Sequence, residues 1–192
     1  MSGDQGRGAA SGQDTAVLEG ERLLLREFRD DDFEAVHAYG SDPDVVRYLP
    51  WGPNTESDTR RFLARAHCYR ASDPRLSFEL AVVRRETRDL IGGVGLHKDG
   101  SNAVLGYCGG RSAWGHGYST EASRLLVEFG FGSLDIHRVW AVCDPDNTAA
   151  ANVLRKLGMR QEGHLREAIL IRGEWRDSLI FAILESEWAA GR

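Results

Sequence analysis

The segment at residues 111–122, which reads RSAWGHGYSTEA, constrains the chain most because it joins a predicted strand to a predicted helix. Its glycines Gly115 and Gly117 can adopt positive φ angles and let a ligand come against the backbone. The first amide groups of the helix have no acceptor inside it and point, with the helix dipole, towards an anion. The segment therefore predicts a pyrophosphate site, while a glycine-containing turn before an ordinary helix stays open as the alternative.

Hydrophobic spacing on both sides of this segment predicts an α+β fold. The first half contains a strand, two helices and three further strands, at residues 22–28, 31–39, 57–71, 77–83, 89–97 and 103–108. The second half contains a helix at residues 119–129, a strand at 139–143, a helix between Asn147 and Gly158, and a hairpin at 160–170 and 177–185. This order gives one mixed sheet with helices on both faces.

Composition limits the class of protein. The 192 residues suit one domain; residues 1–17, rich in Gly, Ser, Asp and Gln, are expected to be a disordered tail before a domain at residues 18–192. No apolar run is long enough for a secretory signal or a membrane span, so we expect a cytoplasmic protein without a membrane partner. We then expect the three cysteines, Cys68, Cys108 and Cys143, to be reduced thiols. We also expect no metal site. The net charge of −5 argues against a nucleic-acid partner.

Two common nucleotide-binding motifs are missing from the sequence. There is no GxxxxGK[ST], so a Walker-type site would lack its lysine. There is also no GxGxxG on a strand–helix unit near the N-terminus, which a dinucleotide-binding oxidoreductase would need.

Several ordered motifs resemble the GCN5-related N-acetyltransferases (GNAT), and within them the RimJ/RimL-type branch that acetylates ribosomal-protein N-termini. The core signature is Gly106 and Tyr107 followed by residues 114–122, WGHGYSTEA. The other matching pieces, in order, are residues 22–26, Asn147, residues 153–154, 156–159, 162–163 and 165–166, Gly173, Asp177, and residues 187–188. The resemblance runs from about Leu18 to Trp188.

The resemblance implies a GNAT fold, a single mostly antiparallel sheet of six to seven strands that is splayed between its fourth and fifth strands. These strands are residues 103–108 and 139–143, and the pantetheine arm of acetyl-CoA would lie between them. The backbone of the fourth strand would pair with the pantetheine amides and donate to the acetyl carbonyl, and the following loop would bind the pyrophosphate. The implied cofactor-binding residues are Tyr107, Cys108, Gly109, Trp114, Gly115, His116, Gly117, Tyr118, Ser119, Thr120 and Asn147. For Asn147, the alternative to a cofactor contact is a role as a helix cap alone.

The implied reaction is direct attack of a neutral primary amine on the thioester, in a ternary complex without a covalent enzyme intermediate. Many family members protonate the departing thiolate with a Tyr or a Ser, but those positions here hold Leu154 and Ala150. A base must still take the amine proton, and three carboxylates are candidates, Glu79, Glu162 and Glu167. Each of these carboxylates could instead have only a structural role.

The acceptor pocket is expected between the proline-containing stretch at residues 41–54 and the late hairpin, with Trp51, Trp175 and Asp177 in its walls. Aromatic rings beside a carboxylate suit a cationic amine, although ordinary packing stays open for the tryptophans. The acceptor is a protein N-terminal amine or a small molecule such as an aminoglycoside or a polyamine, and a homodimer stays open. Because neither Leu154 nor Ala150 can donate a proton, a catalytically silent acyl-CoA-binding module is the alternative from another functional class.

Overall fold

A computed structural model describes residues 16–191 of the chain, in which one eight-stranded sheet is the central element. Its strands lie in the order β1-β2-β3-β4-β5-β6-β8-β7. Their bounds are β1 Ala16–Glu19, β2 Leu23–Glu27, β3 Ser77–Arg84, β4 Leu90–Asp99, β5 Asn102–Gly109, β6 Arg138–Cys143, β7 Arg160–Ile171 and β8 Glu174–Leu184. All neighbouring strands are antiparallel except β5 and β6, which are parallel.

Helices cover both faces of the sheet, as predicted, at α1 Phe33–Gly40, α2 Glu56–Ala71, α3 Tyr118–Ser133, α4 Thr148–Lys156 and α5 Glu185–Ala190. A short 3₁₀ turn at Asp30–Asp32 precedes α1. One core lies between α1, α2 and the sheet and includes Val36, Leu63, Ala81 and Val83. The larger core lies on the opposite face, under α3, α4 and α5, and includes Leu80, Leu126, Leu154, Phe181 and Trp188.

The sheet opens between β5 and β6. Their ladder contains only three residue pairs, Asn102 with Arg138, Ala103 with Val139, and Val104 with Trp140. Beyond this point β5 continues to Gly109 and β6 to Cys143 without pairing with each other. This confirms the splay between the two strands that the family resemblance implied. The edge of β5 after Val104 therefore faces a gap in the sheet instead of a neighbouring strand.

Three elements differ from the sequence-based expectation. The sheet has eight strands, not six to seven, because the short apolar run of β1 folds back on β2. Residues 16 and 17, predicted to be tail, belong to that strand, and the rest of the predicted tail lies outside the described residues. The last predicted strand begins three residues earlier, at Glu174, and is followed by α5, which the sequence analysis did not predict.

Candidate functional site

The N-terminus of α3 has the geometry that its glycines predicted. Gly115 and Gly117 have φ angles of +76° and +77°, a left-handed conformation that side-chain-bearing residues adopt at a cost. Gly117 is the N-cap residue of α3 and has no side chain with which to accept from the first-turn amides. The N-terminus of α4 differs, because the Asn147 side chain accepts a 3.0 Å hydrogen bond from the Ala150 amide. The amides of α3 are thus left for an outside acceptor.

Residues from outside the loop hold it in this shape. Arg22, before β2, donates to the carbonyl of His116 at 3.0 Å and to the Glu121 carboxylate at 2.8 Å. The His116 ring stacks on the Tyr118 ring, with centroids 5.4 Å apart. The Trp114 indole donates to the Gly109 carbonyl at 2.8 Å, so this carbonyl of β5 already has a partner. The loop is therefore fixed to the sheet before any ligand binds.

The gap between β5 and β6 is bridged on one face by the side chain of Tyr107. Its hydroxyl donates to the Ala150 carbonyl in the first turn of α4, at 2.9 Å, and burial raises its pKa. Burial also raises the pKa of the Cys108 thiol, to about 12. A thiol with that pKa is protonated at neutral pH and is a poor nucleophile, which fits a reaction without an acyl-enzyme. Leu154 is fully buried in the core and offers no proton donor.

The other face of the gap presents a carboxylate beside open space. Glu79 on β3 lies opposite Gly95 on β4, and Gly95 lies opposite Gly106 on β5. The Glu79 carboxylate covers Gly95, since its oxygens are 2.9 and 3.0 Å from where a Cβ would stand. Apart from Gly106 and its two chain neighbours, no atom of the described residues lies within 4 Å of the Cβ position at Gly106. A small group could therefore sit over Gly106, next to Glu79 and at the mouth of the gap.

His97 is the residue of this cluster that the sequence analysis missed. Its Nε2 lies 3.0 Å from Oε1 of Glu79, two residues further along β4 than Gly95. The edge of the Tyr69 ring, from α2, contacts the imidazole with centroids 5.8 Å apart. Alternation along the two strands could have suggested the pair, but only with the register between them known.

The other two candidate bases lie on β7. Glu162 accepts from the Arg138 guanidinium at 2.9 Å, and this hydrogen bond lowers the pKa of its carboxyl. Glu167 lies in a bulge of β7 with a φ of +49°, and its amide donates to Asp177 at 2.8 Å. His164 also approaches Asp177, at 2.7 Å, and both contacts, the Glu167 amide first, lower the pKa of the Asp177 carboxyl. Asp177 thus holds the bulge together.

Residues 41–54, which carry Trp51, are tied to both sides of the gap. Arg111, just after β5, donates to Asp42 at 2.8 Å, and this hydrogen bond lowers the pKa of Asp42 to about 2. Arg172, at the tip of the β7–β8 hairpin, donates to the Leu49 carbonyl at 3.2 Å. Trp175 follows on the same hairpin with 61% of its surface exposed. The structure thus brings the predicted walls of the acceptor pocket into contact through Arg172.

Comparison with known proteins agrees with this geometry. The family profile of the acetyltransferase (GNAT) domain matches residues 22–160. The chain is a GNAT acetyltransferase. The uncharacterized N-acetyltransferase YnaD of Bacillus subtilis (strain 168) is 35% identical over 170 residues, which cover 88% of this chain and 96% of YnaD. The crystal structure of a GNAT-family acetyltransferase from Bacillus anthracis is 35% identical with a TM-score of 0.79, covering 88% of this chain and 98% of that one.

Two relatives with named acceptors match over a shorter part of this GNAT chain. The [ribosomal protein uS5]-alanine N-acetyltransferase of Escherichia coli (strain K12) is 33% identical over 88 residues, or 46% of this chain and 45% of that enzyme. The spermidine N(1)-acetyltransferase of the same strain is 30% identical over 76 residues, or 40% of this chain and 41% of that enzyme. The RimJ-type likeness thus has partial support, and the two relatives differ in the class of amine they acetylate.

GNAT enzymes use acetyl-CoA, and the α3 N-terminus and the β5–β6 gap are the parts of this member where the pyrophosphate and the pantetheine are expected. Within residues 16–191, no helix is long and apolar enough to cross a membrane. In the same part of the chain, no group of three or more His, Cys, Asp or Glu side chains is arranged to hold a metal ion.

Proposed function

We propose that this GNAT enzyme transfers the acetyl group of acetyl-CoA to a primary amine that sits over Gly106, with Glu79 as the base. The observation that carries the proposal is the half-buried Glu79 carboxylate beside open space, at the point where β5 and β6 separate. A protonated alkylamine cannot attack a thioester, so a group within reach of its proton is required. Among the candidate carboxylates, Glu79 is the one beside the gap.

The charge environment favours Glu79 over its rivals. A carboxylate whose pKa is lowered by an arginine, as in Glu162, binds a proton less readily and is the weaker base. Glu167 lies on an exposed bulge of the hairpin. Glu79, with 18% of its side chain exposed, faces no arginine or lysine at ion-pair distance among the described residues.

Acetyl-CoA would enter from the α3 side. The uncapped amides of Tyr118, Ser119 and Thr120 would bind the pyrophosphate, and the glycines before them leave room for it. The pantetheine would lie along the unpaired edge of β5, with backbone amides near Tyr107 and Cys108 bonding its amide groups and the acetyl carbonyl. The Asn147 oxygen caps α4, and its amide nitrogen would complete the cofactor contacts.

The acceptor would approach from the opposite face, between residues 41–54 and the hairpin. Trp51, Trp175 and Asp177 belong to these two segments, and Trp51 and Trp175 are exposed. A protein N-terminal amine and a polyamine are both supported by relatives with such acceptors. We propose that the enzyme is cytoplasmic, a location in which its three free cysteines would stay reduced. A homodimer is the assembly to test.

A thiol-release assay with purified protein tests the proposed function. Acetyl-CoA is offered with an N-terminal alanyl or seryl peptide, spermidine, or an aminoglycoside, and free CoA thiol is measured together with the mass of the acetylated product. We expect release that depends on one of these amines. CoA binding without amine-dependent release from any class would instead identify the silent acyl-CoA-binding module.

A further inference from the structure

The Glu79 carboxylate also contacts His97, which lies on the neighbouring strand β4 two residues along from Gly95. The two side chains come from neighbouring strands, and the 3.0 Å between Nε2 and Oε1 is short enough for direct proton transfer. The Tyr69 ring lies beside the imidazole in a T-shaped arrangement, with an angle of 69° between the ring planes. The carboxylate thus has the open space over Gly106 beside it and an imidazole within reach.

Solvent exposure differs between the two members of the pair. Glu79 has 18% of its side chain exposed, whereas His97 has 37%. A base must lose the proton it has taken before the next turnover, and the imidazole is the more exposed of the two side chains. Imidazole also titrates near neutral pH in water, which suits a group that both accepts and releases protons.

We infer that His97 carries the amine proton from Glu79 to solvent. This inference rests on the proposed function and adds a residue to its proton path. His97 reaches the substrate only through Glu79, so it is a positioning and relay residue, not one that touches the reacting atoms.

The proton balance is simple. The substrate ammonium gives one proton to the Glu79 carboxylate, which leaves a neutral amine and a protonated Glu79. The amine nitrogen then forms a bond to the thioester carbon, and the carbon–sulfur bond breaks with its electron pair on sulfur. Glu79 passes its proton to Nε2 of His97 in the neutral tautomer that carries its hydrogen on Nδ1, and the resulting imidazolium releases a proton to water. The second proton on the new amide nitrogen leaves to water or to the thiolate, so no oxidant, reductant or metal is needed.

Chemical rescue separates this relay from a structural role. In His97→Ala, we expect amine-dependent kcat to fall at least about tenfold, while the Kd for CoA stays unchanged. Added imidazole should then restore activity in a saturable way, because it can occupy the space beside Tyr69 and accept the proton. His97→Gln, which keeps a hydrogen-bond donor but cannot titrate, should fall similarly and should not respond to imidazole.

His67→Ala is the matched control. His67 is 38% exposed and lies 3.6 Å from Asp30, a similar pairing between α2 and the segment before α1. It should keep the parental kcat and show no imidazole response.

Two results would overturn the relay in an enzyme whose parent acetylates an amine. In the first, His97→Ala keeps the parental kcat. In the second, imidazole does not restore the activity of His97→Ala, whereas the His97→Gln variant is as active as the parent. The second result would show that His97 only orients Glu79. If His97→Ala does not fold, the kcat of His97→Gln alone decides, because parental activity in that variant excludes a relay. A parent protein inactive with every amine contradicts the proposed function instead.

Discussion

Replacing Gly117 with valine isolates the part that the α3 N-terminus plays in cofactor binding. Gly117 has a φ of +77°, and the nearest atom to a Cβ there, an Arg22 nitrogen, is 3.8 Å away, so the space is free and the backbone strain is the main cost. A side-chain-bearing residue in this conformation costs about 1–2 kcal/mol. For a chain of this length that lowers Tm by about 2–8 °C, at about 2–4 °C per kcal/mol.

The effect on acetyl-CoA should be larger than the effect on stability. Relaxing φ at Gly117 turns the amides of the first turn away from the pyrophosphate. Losing one hydrogen bond to a charged group costs about 1.5–3 kcal/mol, or about 10- to 100-fold in Kd at about 1.4 kcal/mol per tenfold. Isothermal titration with CoA measures this, and thermal melting measures the stability term.

Gly100→Val is the control, because Gly100 has a φ of +57° in the β4–β5 turn, with no described atom within 4 Å of its Cβ position. It should melt lower by a similar amount but bind CoA like the parent. A folded Gly117→Val protein that bound CoA as tightly as the parent would refute the pyrophosphate site.

Three further predictions follow from other contacts. Asp32→Ala removes the carboxylate that accepts two hydrogen bonds of 2.7 Å from the buried Arg26 guanidinium. We expect it to lower the free energy of unfolding, measured by urea titration, by about 3–5 kcal/mol. A loss below about 1 kcal/mol would contradict the importance of the buried pair. Because the pKa of Cys108 is raised to about 12, iodoacetamide at pH 8 should label the exposed Cys68 and leave Cys108 unlabelled in the folded protein, as peptide masses would show. Equal labelling would count against that burial. Ala150→Ser should change kcat by less than tenfold, about 1.4 kcal/mol of barrier. A much larger gain would mean that protonation of the thiolate limits the parent enzyme and that a hydroxyl on α4 can supply this proton.

Local signals in the sequence were sufficient for most of the secondary structure. The capping box of Thr55 and Asp58 starts α2, and Gly158, with a φ of +84°, ends the turn after α4. The backbone of the loop before α3 was also predictable, because its glycines and the helix behind them are contiguous. The strand β1 was missed because its four residues follow a polar, glycine-rich stretch, and its stability comes from pairing with β2.

The catalytic side of the site was harder to predict because it depends on pairing between distant segments. Glu79 was one of three equivalent carboxylates in the sequence, and only the register of β3, β4 and β5 places it beside Gly106. His97 gave no local signal at all. Asp177 was predicted as a substrate ligand, and its carboxylate also accepts a hydrogen bond from the Glu167 amide, a contact that depends on how many extra residues β7 inserts opposite β8.

The central claim is that an amine over Gly106 loses its proton to Glu79 before it attacks acetyl-CoA. Steady-state thiol release with the preferred amine, measured for Glu79→Gln, Glu162→Gln and Glu167→Gln, tests it most directly. We expect Glu79→Gln to lower kcat/KM for the amine by about 10²- to 10⁴-fold, with CoA affinity unchanged, while the other two variants lose far less. Near-parental activity in Glu79→Gln, or a comparable loss confined to Glu162→Gln or Glu167→Gln, would contradict it.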